Sequence, residues 1–177
     1  IENLRLAKSF LNIEKPIVCA INGDAFGHGL EIAMYSDIRL TVPNAKFGMP
    51  CIKYGSIPWD GGTQLLPRII GISHASDLLM TGKTINAKQA MDIGLVENII
   101  PKSKILNESK IIANSISKLG PIATRYAKEA ILKGMDMTMD QGMRLEMDLN
   151  LLLQTTKDRA EGLSSFMEKR PPKFIGE

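Results

Sequence analysis

The chain has 177 residues, 44% of them hydrophobic, with 22 Lys and Arg against 19 Asp and Glu for a net charge of +3. That is enough apolar material for one domain with a real core, and the scattered basic residues, gathered only at Lys169, Arg170 and Lys173, exclude a continuous nucleic-acid stripe. No apolar run approaches the ~20 residues that span a bilayer, which excludes a membrane helix, and the N-terminus lacks signal- or transit-peptide composition, although the start at Ile1 rather than Met leaves a preceding targeting segment open.

Residues 1–13 place Leu4, Ala7 and Leu11 on one face and predict an amphipathic helix. Pro16 to Ile21 is a short apolar run bounded by Pro and by Asn22-Gly23, which predicts a strand buried on both faces. Gly23 to Gly29 then leads into Leu30, Glu31, Ile32, Ala33 and Met34, a strand, glycine-rich turn and helix in succession. Ile38 to Val42 predicts another strand. Pro43 to Gly62 is rich in Gly and Pro and predicts a long functional loop. Cys19 sits in an apolar run and Cys51 in this loop, a spacing unlike a disulfide framework, so a reducing, cytoplasm-like compartment is expected.

Helical periodicity returns at residues 63–70, with Pro67 expected to split or kink it, and again at 73–80 and 87–93. Leu95 to Ile100 predicts a short strand. Beyond Lys102 only helices are predicted, at 105–119, 122–132, 139–153 and 160–168. The expected organisation is a strand-and-helix core over residues 1–101 and a helical module over 102–177.

The turn Gly27-His28-Gly29 is the sharpest local feature. A helix entered from a glycine-rich turn offers free backbone N–H groups to an anion, either a phosphate or the oxyanion of a thioester. Phosphate motifs fit poorly: no Gly-Lys-Ser/Thr follows, and the glycines at 23, 27 and 29 lack the dinucleotide spacing. A purely structural turn fits as well. Glu31, in the first helical turn among apolar neighbours, is either an acid/base carboxylate or a helix-start residue that complements the dipole.

The run from Lys15 to Arg39, with Gly-Asp-Ala-Phe-Gly-His-Gly-Leu-Glu at its centre, resembles the signature of the enoyl-CoA hydratase/isomerase (crotonase) family. Ala45 to Pro50, Gly55 to Pro58, Gly61 to Gly71, Thr81 to Ala87 with Ala90, Gly94 to Val96 and Phe166 to Arg170 extend the resemblance over nearly the whole chain. It implies an α/β fold, a crotonase-like spiral of ββα units followed by a C-terminal helical trimerisation module. The family's N-terminal strands, much of its CoA site and one oxyanion donor would precede Ile1, making the spiral partial.

The resemblance further implies an acyl-CoA thioester as substrate, with coenzyme A belonging to the substrate and no separate cofactor or metal. It implies a homotrimer or dimer of trimers, with no nucleic-acid or membrane partner. Within the site, the His28 backbone N–H becomes an oxyanion donor between Gly27 and Gly29, where relatives usually carry glycine at 28. Glu31 becomes the first of the two glutamates that handle water in hydratases. The second should follow Pro50, where this chain has Cys51, a poor substitute for a carboxylate. Asp60 is a candidate second acid or base, or else a helix N-cap. Trp59 shapes an acyl pocket, one suited to a cyclic or branched chain, or fills the core. Phe166 and Lys169 match residues that help hold the CoA nucleotide, with a solvated helix end as the alternative. Three readings remain: an enoyl-CoA hydratase, an isomerase or other single-carboxylate enolate enzyme favoured by the loss of the second glutamate, and a non-catalytic CoA-binding or scaffold subunit.

Overall fold

The short apolar runs pair across the sequence to set the frame of the site. The structure, a computed structural model, describes residues 7–177, with side chains from Ser9 onward. Of the helix expected at the N-terminus, α1 (Ala7–Leu11) is described and residues 1–6 lie outside the described residues. Phe10 on α1 stacks on Tyr35 with ring centroids 5.5 Å apart.

Two three-stranded sheets follow. β1 (Val18–Ile21), β3 (Ile38–Thr41) and β6 (Asn98–Ile99) are parallel in the order β1-β3-β6. β2 (Ala25–Phe26) pairs parallel with β4 (Lys46–Gly48), and β4 pairs antiparallel with β5 (Thr84–Asn86). β1 is an edge strand here, so its Val18, Cys19 and Ala20 are only half-buried, less than the double burial expected. Burial pushes the Cys19 thiol above its ordinary pKa, which keeps it protonated.

α2 (His28–Met34) presents Leu30, Ala33 and Met34 to the core at helical spacing, and Glu31 is buried with them. The stretch expected as an irregular loop instead contains β4 and a 3-10 turn at Pro50–Tyr54. Neither announces itself by pattern, because three strand residues and one turn are too short for a periodic signal. α3 (Gly62–Thr81) does divide near the expected place, but not at Pro67. The break is Gly71, whose φ of 78° and ψ of 158° end one helix and start the next. α4 (Ala87–Asp92) begins with reciprocal Asn86 and Gln89 capping bonds. Of the strand expected over 95–100 only Asn98–Ile99 is extended, while Leu95 and Val96 turn inward as buried core.

Contacts divide the chain into two compact units. One holds the described residues up to Ile13 with Ile17–Ile112, the other Glu14–Pro16 with Ala113–Glu177. The boundary falls inside α5 (Ile105–Ser117), because Ile105 is buried in the first unit's core and Ile112 packs against it. That core centres on Leu30, Leu40, Val42, Phe47, Met49, Leu66 and Leu78.

A buried arginine ties the first unit's parallel sheet together. Arg39, 7% exposed, donates to the carbonyls of Leu95 (2.8 Å) and Ser36 (2.5 Å) and pairs with Glu97 at 3.0 Å. Its backbone N–H also donates to the Glu97 carboxylate. The guanidinium fork suits this multiple recognition better than an ammonium would.

The second unit contains α6 (Pro121–Gly134), α7 (Met139–Leu153) and α8 (Lys157–Met167). The tail folds back on α8: Asp158 accepts from the N–H groups of Ile175 (2.7 Å) and Gly176 (2.9 Å), and Glu161 holds Arg170 at 2.5 and 2.9 Å. Glu161 also accepts from the Lys173 N–H at 2.7 Å.

Two outcomes follow from these ties. Arg39→Ala leaves two carbonyls without their guanidinium donor and the Glu97 carboxylate with only the backbone N–H of residue 39, and is expected to lower unfolding free energy by about 2–3 kcal/mol, read from the urea midpoint. The Arg170 side chain, then the Lys173 N–H, hold the Glu161 carboxyl down at about 2 against an ordinary 4.5. Because the folded value is the lower one, the tail's anchorage is full above pH 4.5 and fades as pH falls toward 2. The protection factor of the Lys173 amide, its exchange relative to the unstructured rate at the same pH, should therefore fall over that window, and Glu161→Gln should show reduced protection already at neutral pH.

Candidate active site

β2 and β4 run side by side, with Phe26 opposite Gly48, and the Gly27 N–H donates to the Gly48 carbonyl at 3.0 Å. This pairing delivers the two glycine- and proline-bounded stretches to one place. Gly27 becomes the N-cap of α2, and a methyl group at its Cα would lie 3.9 Å from Sγ of Cys51, the second residue of the 3-10 turn. The half-buried thiol therefore sits beside the glycine turn.

The first helical bond of α2 runs from the Glu31 N–H to the Gly27 carbonyl at 3.0 Å. The N–H groups of His28, Gly29 and Leu30 precede it and have no helical acceptor. A developing negative charge at this turn would find donors and the positive end of α2 together.

Glu31 is 2% exposed, and its side chain does not serve the helix start. Oε1 accepts from the backbone N–H of Asp60 (3.0 Å) and of Gly62 (2.8 Å). Oε2 faces Nδ1 of His28 at 3.3 Å. The carboxylate is thus oriented by main chain on one oxygen and approached by an imidazole on the other.

Asp60 is likewise 2% exposed. The expectation that it caps α3 is not met: the N-cap is Gly61 and takes no side-chain bond. The Asp60 Oδ2 instead lies 3.8 Å from Nε2 of His28, and its carbonyl accepts from the Tyr35 hydroxyl at 2.9 Å. The close packing explains the glycines. A side chain at Gly61, whose φ is 106°, would meet the Tyr35 oxygen at 2.5 Å, and one at Gly62 would meet Pro58 at 2.6 Å and Glu31 Oε1 at 3.0 Å.

Trp59 is not core. It is 57% exposed, its ring tilted 53° to the His28 ring with centroids 6.4 Å apart. Glu31, His28, Asp60, Trp59, Gly27, Gly29 and Cys51 are thus brought to one region of the first unit. Phe166 and Lys169 belong to the second unit, where both are exposed at the end of α8 and Lys169, with φ of 54°, adopts the left-handed conformation that terminates the helix.

Sequence reasoning missed Tyr35, Pro58 and the side-chain role of His28. The signal for Tyr35 and His28 was present: positions 28, 31 and 35 recur at helical spacing on one face. That for Pro58 was not, since its part is only to pack against Gly62. Among the described residues no group of three or more His, Cys, Asp or Glu is disposed to hold a metal ion, and no helix is long and apolar enough to cross a membrane.

Residues 2–177 match the family model described as enoyl-CoA hydratase/isomerase. The chain is 43% identical over 163 residues to a crotonyl-CoA hydratase of Syntrophomonas wolfei, covering 92% of this chain and 63% of that protein. It is 39% identical over 158 residues to a short-chain-enoyl-CoA hydratase of Clostridium acetobutylicum, covering 89% of this chain and 60% of that protein. The crystal structure of an enoyl-CoA hydratase from Bacillus anthracis superposes with a TM-score of 0.94 at 38% identity, over 97% of this chain and 66% of that one. The chain therefore spans less than two thirds of the length of the curated relatives it matches. The family match over nearly the whole chain and the close superposition together show that the chain belongs to the enoyl-CoA hydratase/isomerase family, with its crotonase-type α/β fold.

Proposed function

We propose that this chain is the central and C-terminal part of an enoyl-CoA hydratase that adds water to a short α,β-unsaturated acyl-CoA. The observation that carries the reading is Glu31: a buried carboxylate with Oε1 fixed by two backbone donors and Oε2 turned toward the glycine turn. The crotonyl-CoA and short-chain-enoyl-CoA hydratases it resembles support the substrate class.

In this reading the thioester oxygen meets the His28 N–H. Water bonds to the β-carbon, Glu31 takes its proton, and the π electrons move onto the thioester oxygen as an enolate. Collapse of the enolate returns a proton to the α-carbon. A main-chain oxyanion donor of this kind is worth ~100-fold to 1000-fold in rate. Trp59, exposed beside His28, walls the acyl side of the site, and Phe166 and Lys169 of a neighbouring copy of the chain meet the CoA nucleotide. The assembly is a homotrimer or dimer of trimers, supported by the exposed Met139, Met143, Met147 and Leu151 that recur every four residues along α7; a cytoplasm-like compartment accords with the free thiols of Cys19 and Cys51.

Cys51 in place of a second glutamate favours one other reading, an isomerase in which Glu31 moves a proton between carbons and no water is added. Mass spectrometry of crotonyl-CoA incubated with the full-length protein in D₂O separates the two. Gain of a water is expected; deuterium uptake or double-bond migration without it would favour the isomerase. Glu31→Gln is expected to cut kcat by about 1000-fold with little change in KM, and unchanged turnover would remove Glu31 from the chemistry. Gly62→Ala should lose activity as well, because a methyl group there displaces Pro58 and presses on Glu31 Oε1.

A further inference from the structure

Glu31, His28 and Asp60 form a closed circuit. The Asp60 N–H donates to Glu31 Oε1 at 3.0 Å, Glu31 Oε2 faces His28 Nδ1 at 3.3 Å, and His28 Nε2 faces Asp60 Oδ2 at 3.8 Å. Both carboxylates are 2% exposed, while the imidazole between them is 40% exposed, at the mouth of the cluster. Each ring nitrogen therefore has its own carboxylate. In the neutral ring one nitrogen donates and the other accepts; in the cation both donate. A ring so placed can hand a proton from one carboxyl to the other by gaining at one nitrogen and losing at the other.

We propose that the imidazole of His28, backed by Asp60, is a positioning and proton-sharing residue that acts through Glu31 and fills the place of the second glutamate that Cys51 cannot. This rests on the hydratase reading. The balance is simple: the oxygen of water, keeping one hydrogen, bonds to the β-carbon while its other proton passes to Glu31 Oε2. His28 Nδ1 takes that proton as Nε2 releases one toward Asp60. The reverse transfer restores it to Glu31, which delivers it to the α-carbon as the enolate collapses. One water is consumed and the three residues end as they began. A single carboxylate touching the substrate then serves both half-reactions.

The 3.8 Å contact is an ion-pair separation, and catalytic contacts commonly tighten only with substrate bound. The other titratable groups at the cluster are Tyr35, whose hydroxyl is engaged with the Asp60 carbonyl, and Cys51 beside Gly27. The backbone donor of His28 is a separate function, and that separability makes the test possible.

His28→Gly in the full-length protein removes the ring and keeps the main-chain N–H. With crotonyl-CoA, kcat is expected to fall about 100-fold with KM changed by less than about two-fold. One ionisation should vanish from the pH profile of kcat, and imidazole added to the buffer should restore part of the rate. Asp60→Asn, which keeps its backbone N–H on Glu31, should lose the same ionisation. Wild-type kcat and an unchanged pH profile in His28→Gly would overturn the relay while leaving the hydratase reading intact. A wild-type enzyme that adds no water to crotonyl-CoA would overturn both.

Discussion

The acceptance of two backbone N–H groups by Oε1 of Glu31 is the interaction on which the site depends. A buried carboxylate without donors is costly, and here the donors come from Asp60 and Gly62, some thirty residues downstream. The bonds hold α2 against the start of α3 and fix the orientation of Oε2 at once. They also dictate the local sequence, because the main chain can approach so closely only where Gly61 and Gly62 carry no side chains. Tyr35, one turn along α2 from Glu31, completes the clamp through the Asp60 carbonyl.

The sheets supply the other half of the arrangement. The β2–β4 pairing brings Gly27 to Gly48 and hence Cys51 to the glycine turn, so that the residue standing where the second glutamate is expected lies at the site. The Arg39 network plays the corresponding part in the other sheet, tying β3 to the Leu95–Glu97 segment through side-chain and main-chain bonds. Neither pairing is local in sequence, and each is secured by a few specific polar contacts around an apolar core.

Much of this was legible in the residues. Leu30, Ala33 and Met34 announced α2 by spacing, Met139 to Leu153 announced α7 at its observed bounds, and the Gly27-His28-Gly29 turn marked the place of interest. What escaped was short or relational. β2, β4 and β5 hold two or three residues each, too few for alternation to register. Pro67 looked like the helix breaker because proline lacks a donor, yet the chain tolerated it and turned at Gly71. Asp60 looked like a cap because it precedes a helix; only folding revealed that its backbone serves Glu31 and its side chain faces His28.

Residues 28 and 60 have divided duties. At 60 the N–H donates to the Glu31 carboxylate while the side chain faces His28; at 28 the N–H precedes the first helical bond of α2 while the ring lies between the two carboxylates. Any amino acid except proline preserves those donors. Both positions are therefore free to change their chemistry without dismantling the frame that holds it. Acids, bases and bulk can be exchanged at 28 and 60 while the main-chain bonds that orient Glu31 stay in place, so the chemistry beside that carboxylate is separable from the frame that holds it.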